Sequence, residues 1–573
     1  MNKKVLAYFL FAFFLFVLLL PNVVWVVTSA SGERAPWMAL FIGVLVVFGV
    51  YALLGWAHLV VIFLSGPFFL VPFEVFYIFH YGRPSDALLF GVISESPPAE
   101  AIAFLGFGLT LLSIAYLVFS PLLIVTSYRL CKGIGLSWRG STRYFFIAMM
   151  VLVVVWICVL EALSEENDGR MHLQSGEGVE RVRYPFILDL EDSYPAGLIV
   201  RLQTFFKERE ILAEMKRQRQ FFKFNAYSAH DPAQREIYVL VIGETGRPDR
   251  LGLNGYARNT TPRLSKIGGV VSFHNMVSSW AWTRMAVPVL VSRKKPDDHR
   301  DYFAEPGLVT VFKEAGFKTY WVSTQSPFGM QDSSISVFAR EADEVRFMNP
   351  ADYMLPGEHD GVMLQELDRI LAEGEEKQLI VLHTLGGHFN YADRYPKRFD
   401  VFRPSLKGVM ASLRDRHQKE RMSNSYDNSV LYMDYFLSSV LDRLRQASAV
   451  SAAFYVADHG ENLFDGNCDK SGHGENTEYD YRVSALWWAS SKYRQAYPLA
   501  LRRALQRVDA PLGSYNVFHS FLDMAGVKYS QQDLSKSLFS SAWRPHLRPT
   551  QSYLDFDRSG RDAVCKTLIA GGE

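Results

Sequence analysis

Asp458 and His459 stand together where an apolar run ends, in Val456-Ala457-Asp458-His459-Gly460-Glu461. A carboxylate oxygen and an imidazole nitrogen delivered to one edge suit a zinc ion, although an isolated Asp-His pair is often structural. Glu244 closes a second apolar run, in Ile242-Gly243-Glu244-Thr245. Taken alone, it reads equally well as a solvated cap. Thr283, in Trp282-Thr283-Arg284-Met285-Ala286-Val287-Pro288, is a hydroxyl of a type that ordinarily starts a helix. His388, in LGGHF, and His473, in SGHGE, add two imidazoles that singly would pass for satisfied surface or core histidines.

These side chains need a scaffold, and the sequence supplies one. Residues 237–242, 318–323, 378–383 and 452–457 are short apolar runs, separated by helix-like stretches such as 426–446. Strands alternating with helices predict an α/β domain with a largely parallel sheet. Such sheets gather their sites beyond the carboxyl ends of the strands. Glu244, the Gly386-Gly387-His388 turn and Asp458-His459 all fall there.

Upstream the composition changes. Five apolar runs, near residues 5–27, 37–56, 59–79, 101–125 and 144–163, are each long enough to cross a bilayer as a helix. The first follows Lys3 and Lys4, but it is long and lacks an obvious small-residue cleavage site, so it reads as a retained anchor. Lys3 and Lys4, and Arg129, Lys132, Arg139 and Arg143 between the fourth and fifth runs, predict a cytoplasmic N-terminus. The loop of residues 81–100 and the C-terminal part then face outward. Domains are expected at 1–165 (five transmembrane helices), 166–236 (a linker with amphipathic interfacial helices) and 237–573 (catalytic). Within the linker, residues 196–223 carry apolar side chains at helical spacing. They are compatible with packing on the soluble domain or lying along a membrane surface. A net charge of +1 gives no argument for a nucleic-acid partner. Of four cysteines, Cys468 and Cys565 fall in the soluble part, and the sequence leaves their pairing open.

Taken together, VLVIGETGRPDRLGLNGYARNTTPRL, SFHNMVSSWAWTRMAVPVLVS, HTLGGHFNYADRYP, YDNSVLYMDYFL and ADHGENLFD resemble the phosphoethanolamine transferases of the alkaline-phosphatase and sulfatase superfamily. The resemblance covers nearly the whole chain. It implies a multi-pass inner-membrane protein of a Gram-negative cell with a periplasmic sulfatase-like α/β/α catalytic domain. It implies zinc, one ion or two, held by Glu244, Asp458, His459 and the nucleophile Thr283. His388 and His473 would line the substrate side, and Glu100 would help hold the donor headgroup. The implied reaction moves phosphoethanolamine from phosphatidylethanolamine to an acceptor through a covalent Thr283 intermediate. Where the lipid A branch carries cysteines beside the nucleophile, this chain has Ser279 and Val289. It is therefore more similar to the cysteine-poor branch that modifies a core heptose of lipopolysaccharide. Lipid A, Kdo or a periplasmic glucan are alternative acceptors. A sulfatase or phosphodiesterase is the alternative class, but the Cys/Ser-x-Pro-x-Arg pattern of sulfatases is absent.

Overall fold

The computed structural model describes the chain apart from residues 1, 30–33, 82–83, 86–97, 153–189, 191, 204, 207–218, 220, 232, 300–304, 326–333, 349–357, 410, 414 and 571–573. The chain forms two compact units, one of residues 1–94 and 108–210, the other of residues 95–107 and 211–573.

The first unit is built of apolar helices: α1 (Lys3–Thr28), α2 (Arg34–Leu54), α3 (Ala57–Phe63), α4 (Ser65–Tyr81), the part of α5 (Pro98–Gly133) from residue 108 on, and α6 (Ser141–Leu152). Among the described residues, three helices are long and apolar enough to cross a membrane, or four if α3 and α4, bent by 56°, form one broken span. The expected count of five is thus not reached. The run at 144–163 is described only to residue 152, and the remainder lies outside the described residues. Residues 196–203 are helical, as their spacing predicts. Here the helix packs on the apolar unit, because Leu198 joins Phe14, Val60 and Phe68 in its core. Arg201, fully buried, pairs with Glu74 of α4 at 2.8 Å. A buried guanidinium requires such a partner.

In the second unit eight strands form one sheet: β1 (Glu236–Gly243), β2 (Val270–Val277), β3 (Lys318–Ser323), β4 (Glu344–Phe347), β5 (Lys377–His383), β6 (Val450–Ala457), β7 (Arg482–Ala489) and β8 (Leu512–Gly513). Their spatial order is β8-β2-β7-β6-β1-β5-β3-β4. Every pairing is parallel except those of β7 with β2 and β6. Central β1 is buried along its whole length, which explains its nearly unbroken apolar sequence. Its side chains alternate between the two faces. Tyr238, Leu240 and Ile242 meet α7 (Thr283–Val291), α8 (Leu308–Glu314) and α11 (Asn516–Met524). Ile237, Val239 and Val241 meet α9 (Met363–Ala372) and α10 (Lys419–Gln446). The sheet is mixed rather than all-parallel, with helices on both faces.

Register positions the site. Gly243 lies opposite Ala457, and Ile242 opposite His383. The next residues, Glu244, Asp458 and the 384–388 turn, therefore leave three neighbouring strands at one level.

Candidate active site

Glu244 is delivered by β1, Asp458 and His459 by β6, and Thr283 by the start of α7. Thr283 Oγ1 lies 3.2 Å from Glu244 Oε2 and 3.2 Å from His459 Nε2. His459 Nε2 is also 3.3 Å from Glu244 Oε1 and 3.5 Å from Asp458 Oδ2. Glu244, Asp458 and His459 are all buried.

Backbone contacts fix this geometry. Asp458 Oδ1 accepts from the Thr245 and His459 amides at 3.2 and 2.8 Å, which orients its second oxygen. His459 Nδ1 lies 2.9 Å from the Gly460 carbonyl. That bond holds a proton on Nδ1, so Nε2 is the nitrogen that would meet a metal ion and, without one, carries the second proton beside Glu244 and Asp458. A Cβ on Gly460 would stand 2.0 Å from the Tyr479 carbonyl oxygen, so glycine is required there. Thr245 adopts φ 53°, and its carbonyl accepts from the Tyr426 hydroxyl on α10. The loop leading to Thr283 is also clamped. Ser278 N donates to the Tyr481 carbonyl at 2.7 Å, and Ala281 N to Gln551 Oε1 at 3.0 Å.

The donor set fits a zinc ion. The ligand atoms of Glu244, Asp458 and His459 lie within 4.8 Å of one another. Glu244 Oε1 and Asp458 Oδ2 are buried without a hydrogen bond, a costly state for carboxylate oxygens that no cation compensates. Burial and the Glu244 charge raise the Asp458 carboxyl to about 7. Burial disfavours charge on His459, but Asp458 and Glu244 outweigh it and raise the imidazole to about 10. The pocket is therefore built around positive charge.

His388 and His473 adjoin this centre. The His473 ring lies 4.3 Å from that of His459, 6.3 Å from that of His388 and 5.2 Å from Trp282. His388 Nδ1 is 2.7 Å from the Phe389 carbonyl. Glu100 lies in α5, and its side chain is outside the described residues. Three contributors escaped sequence reasoning. Glu461, fully buried, sits 3.1 Å from His473 Nδ1 and accepts from the Tyr391 hydroxyl. Gln325 Nε2 donates to Glu244 Oε2 at 3.1 Å and to the Thr384 carbonyl at 3.0 Å. Glu461 stands two residues beyond His459 in the same motif, and Gln325 follows the end of β3. Those positions are the signals that could have marked them. Asp360 accepts from Leu385 N at 2.9 Å and Gly386 N at 3.1 Å, holding the turn before His388. Cys468 and Cys565 form a disulfide, settling the pairing that the sequence leaves open.

The chain is similar to several known proteins. The phosphoethanolamine transferase EptC of Escherichia coli K12 is 29% identical over 335 residues, 57% of this chain and 56% of that protein. The match thus spans just over half the length of that curated relative. The C-terminal periplasmic domain of E. coli EptC, solved in complex with Zn, is 27% identical with a TM-score of 0.52, covering 60% of this chain and 95% of that one. The integral membrane lipooligosaccharide phosphoethanolamine transferase A of Neisseria meningitidis shares the fold, with a TM-score of 0.67 and 18% identity over 94% of this chain and 99% of that one. The family described as Sulfatase matches residues 236–527, more than half of the sequence, and the chain belongs to that family.

Proposed function

We propose that this chain transfers phosphoethanolamine from phosphatidylethanolamine to lipopolysaccharide on the periplasmic side of the inner membrane, with a core heptose as the preferred acceptor. The observation that carries this reading is the Thr283 hydroxyl, 3.2 Å from both Glu244 Oε2 and His459 Nε2 in a buried ligand set. Glu244, Asp458, His459 and Thr283 would hold zinc. When bound, the ion supplies Lewis acidity that favours the deprotonated hydroxyl and offsets phosphoryl charge.

Thr283 Oγ1 gives up its proton and attacks the phosphorus of the donor. The Oγ1–P bond forms, the P–O bond to diacylglycerol breaks, and diacylglycerol takes a proton as it leaves. In the second half an acceptor oxygen attacks the same phosphorus, gives up its proton, and Thr283 leaves with its oxygen. His388 and His473 are the groups placed to move these protons. Each has Nδ1 engaged, by the Phe389 carbonyl and by Glu461 respectively, so Nε2 is the nitrogen that serves. Thr283 also begins α7, where main-chain N–H groups favour anionic oxygens.

The test is mass spectrometry of lipopolysaccharide from a deletion strain carrying wild type or Thr283→Ala, after lipid A is split from core. One phosphoethanolamine increment with wild type and none with Thr283→Ala supports the reading, and its fraction names the acceptor. An increment that survives Thr283→Ala overturns the mechanism.

A further inference from the structure

Between residues 392 and 421 the chain carries nine lysines and arginines against four acids, although its overall charge is only +1. Such a run is commonly just a solvated face. Its contacts set this one apart.

Its cations are held by main-chain carbonyls. Arg416 Nη2 donates to the Asn467 carbonyl at 3.2 Å, and Lys419 Nζ to that of Gly466 at 2.6 Å. Arg421 Nη1 donates to the Ser405 carbonyl at 3.0 Å, and Lys407 Nζ to that of Ala392 at 2.8 Å. A carbonyl orients a cation without cancelling its charge. None of these four forms an ion pair among the described residues, whereas Arg403 does, with Asp400 at 3.0 Å.

The stretch also contacts His388 and the residues just before His473. At its start, Arg394 Nε donates to the His388 carbonyl at 2.9 Å. Further on, the Ser471 hydroxyl donates to the Leu413 carbonyl, and a Cβ on Gly472 would lie 3.3 Å from Leu413 Cδ1. His473 follows directly. Lys397, Arg398 and Arg416 meanwhile are exposed. Fixed, uncompensated positive charge on the rim of a phosphoryl-transfer site is complementary to an anionic ligand.

We infer that this basic face binds the phosphate groups of a phosphorylated saccharide acceptor, orienting it toward Thr283. The inference rests on the transferase reading. To test it, the full-length chain in detergent is titrated with deacylated lipopolysaccharide core oligosaccharide, intact or stripped of phosphate by hydrofluoric acid. The wild type should prefer the intact sugar, with affinity falling as salt rises. The double variant Arg416→Gln/Lys419→Gln should bind the intact sugar about tenfold more weakly, with a shallower salt dependence, and Arg416→Lys/Lys419→Arg should recover most of the affinity. Because both doubles could perturb the 466–467 turn, Lys397→Gln/Arg398→Gln supplies an independent variant, expected to weaken binding in the same direction. Equal wild-type affinity for intact and stripped sugar overturns the inference, as does unchanged affinity in both glutamine doubles. It is equally overturned if the glutamine doubles lose only binding to phosphatidylglycerol vesicles, which would make the face a membrane contact. Binding is measured without turnover, so failure of wild type to transfer phosphoethanolamine registers separately, against the transferase reading.

Discussion

His473 Nδ1 lies 3.1 Å from Glu461 Oε2, and the other oxygen of that carboxylate accepts from the Tyr391 hydroxyl. The carboxylate thus fixes which imidazole nitrogen would face the phosphoryl group in the proposed cycle, as partners behind catalytic and ligating histidines do. Glu461→Gln should lower the transfer rate about 10- to 100-fold while zinc at Glu244, Asp458 and His459 is retained. Glu461→Asp should recover part of the rate. An unchanged rate in Glu461→Gln, measured on purified chain with matched zinc content, would remove Glu461 from the positioning role.

Thr283 is the nucleophile in the proposed cycle. Thr283→Ala should reduce transfer by at least about 10³-fold, and Thr283→Ser should keep measurable activity because the hydroxyl survives. Intact-protein mass spectrometry after incubation with phosphatidylethanolamine should find the phosphoethanolamine adduct on wild type alone of wild type and Thr283→Ala. An adduct on another residue sinks the assignment.

Metal removal should separate binding from repulsion. An ion that binds only the folded chain stabilises it by mass action, and zinc in the proposed site should do so. A chelator should therefore lower the thermal midpoint of wild type and barely move that of Asp458→Asn, whose zinc content should already be low. Without metal, Asp458→Asn should be at least as stable as wild type, because it relieves two buried carboxylates of each other. Full zinc occupancy in Asp458→Asn, read by elemental mass spectrometry, would contradict the ligand set.

Asp434, buried on α10, accepts from the Leu264 and Arg263 amides at 2.8 and 3.1 Å. Burial nevertheless lifts its carboxyl to about 6, above the usual carboxylate range. The folded chain then holds more protons than the unfolded chain between roughly pH 4 and pH 6. Stability contributed here is present at the acid end and is lost as pH rises through that window. Asp434→Asn should flatten this part of the stability–pH curve. Thermal midpoints at pH 4.5, 5.5 and 6.5 test it, and an identical slope in the variant would refute the assignment.

Cys468 and Cys565 join the 462–472 hairpin to the C-terminal segment across 97 residues. Cys468→Ser/Cys565→Ser should cost about 2–5 kcal/mol of stability. Activity at low temperature should fall less than stability, because neither cysteine enters the ligand set. Equal denaturant midpoints for the variant and wild type would show the bond to be dispensable.

The sequence by itself determined the chemistry on offer and the level at which it would appear. Glu244, His388 and Asp458-His459 each follow an apolar run, and strands that end in polar residues put those residues at one sheet edge. Apolar runs of bilayer length marked the anchor in the same way, because length and composition are local properties. Only the tertiary structure decided which groups meet. The neighbouring positions of β5, β1 and β6 bring together residues more than 200 positions apart, and no local pattern encodes strand order. In the sequence Glu461 is the tail of a motif, whereas in the fold Tyr391 and His473 sit on its two oxygens. The sequence leaves residues 196–203 between packing on the soluble domain and lying along a membrane surface; in the structure they pack on the apolar helices, through Leu198 and the Arg201–Glu74 pair. An amphipathic stripe records that one face is covered, whereas its covering partner is fixed by long-range packing and charge pairing.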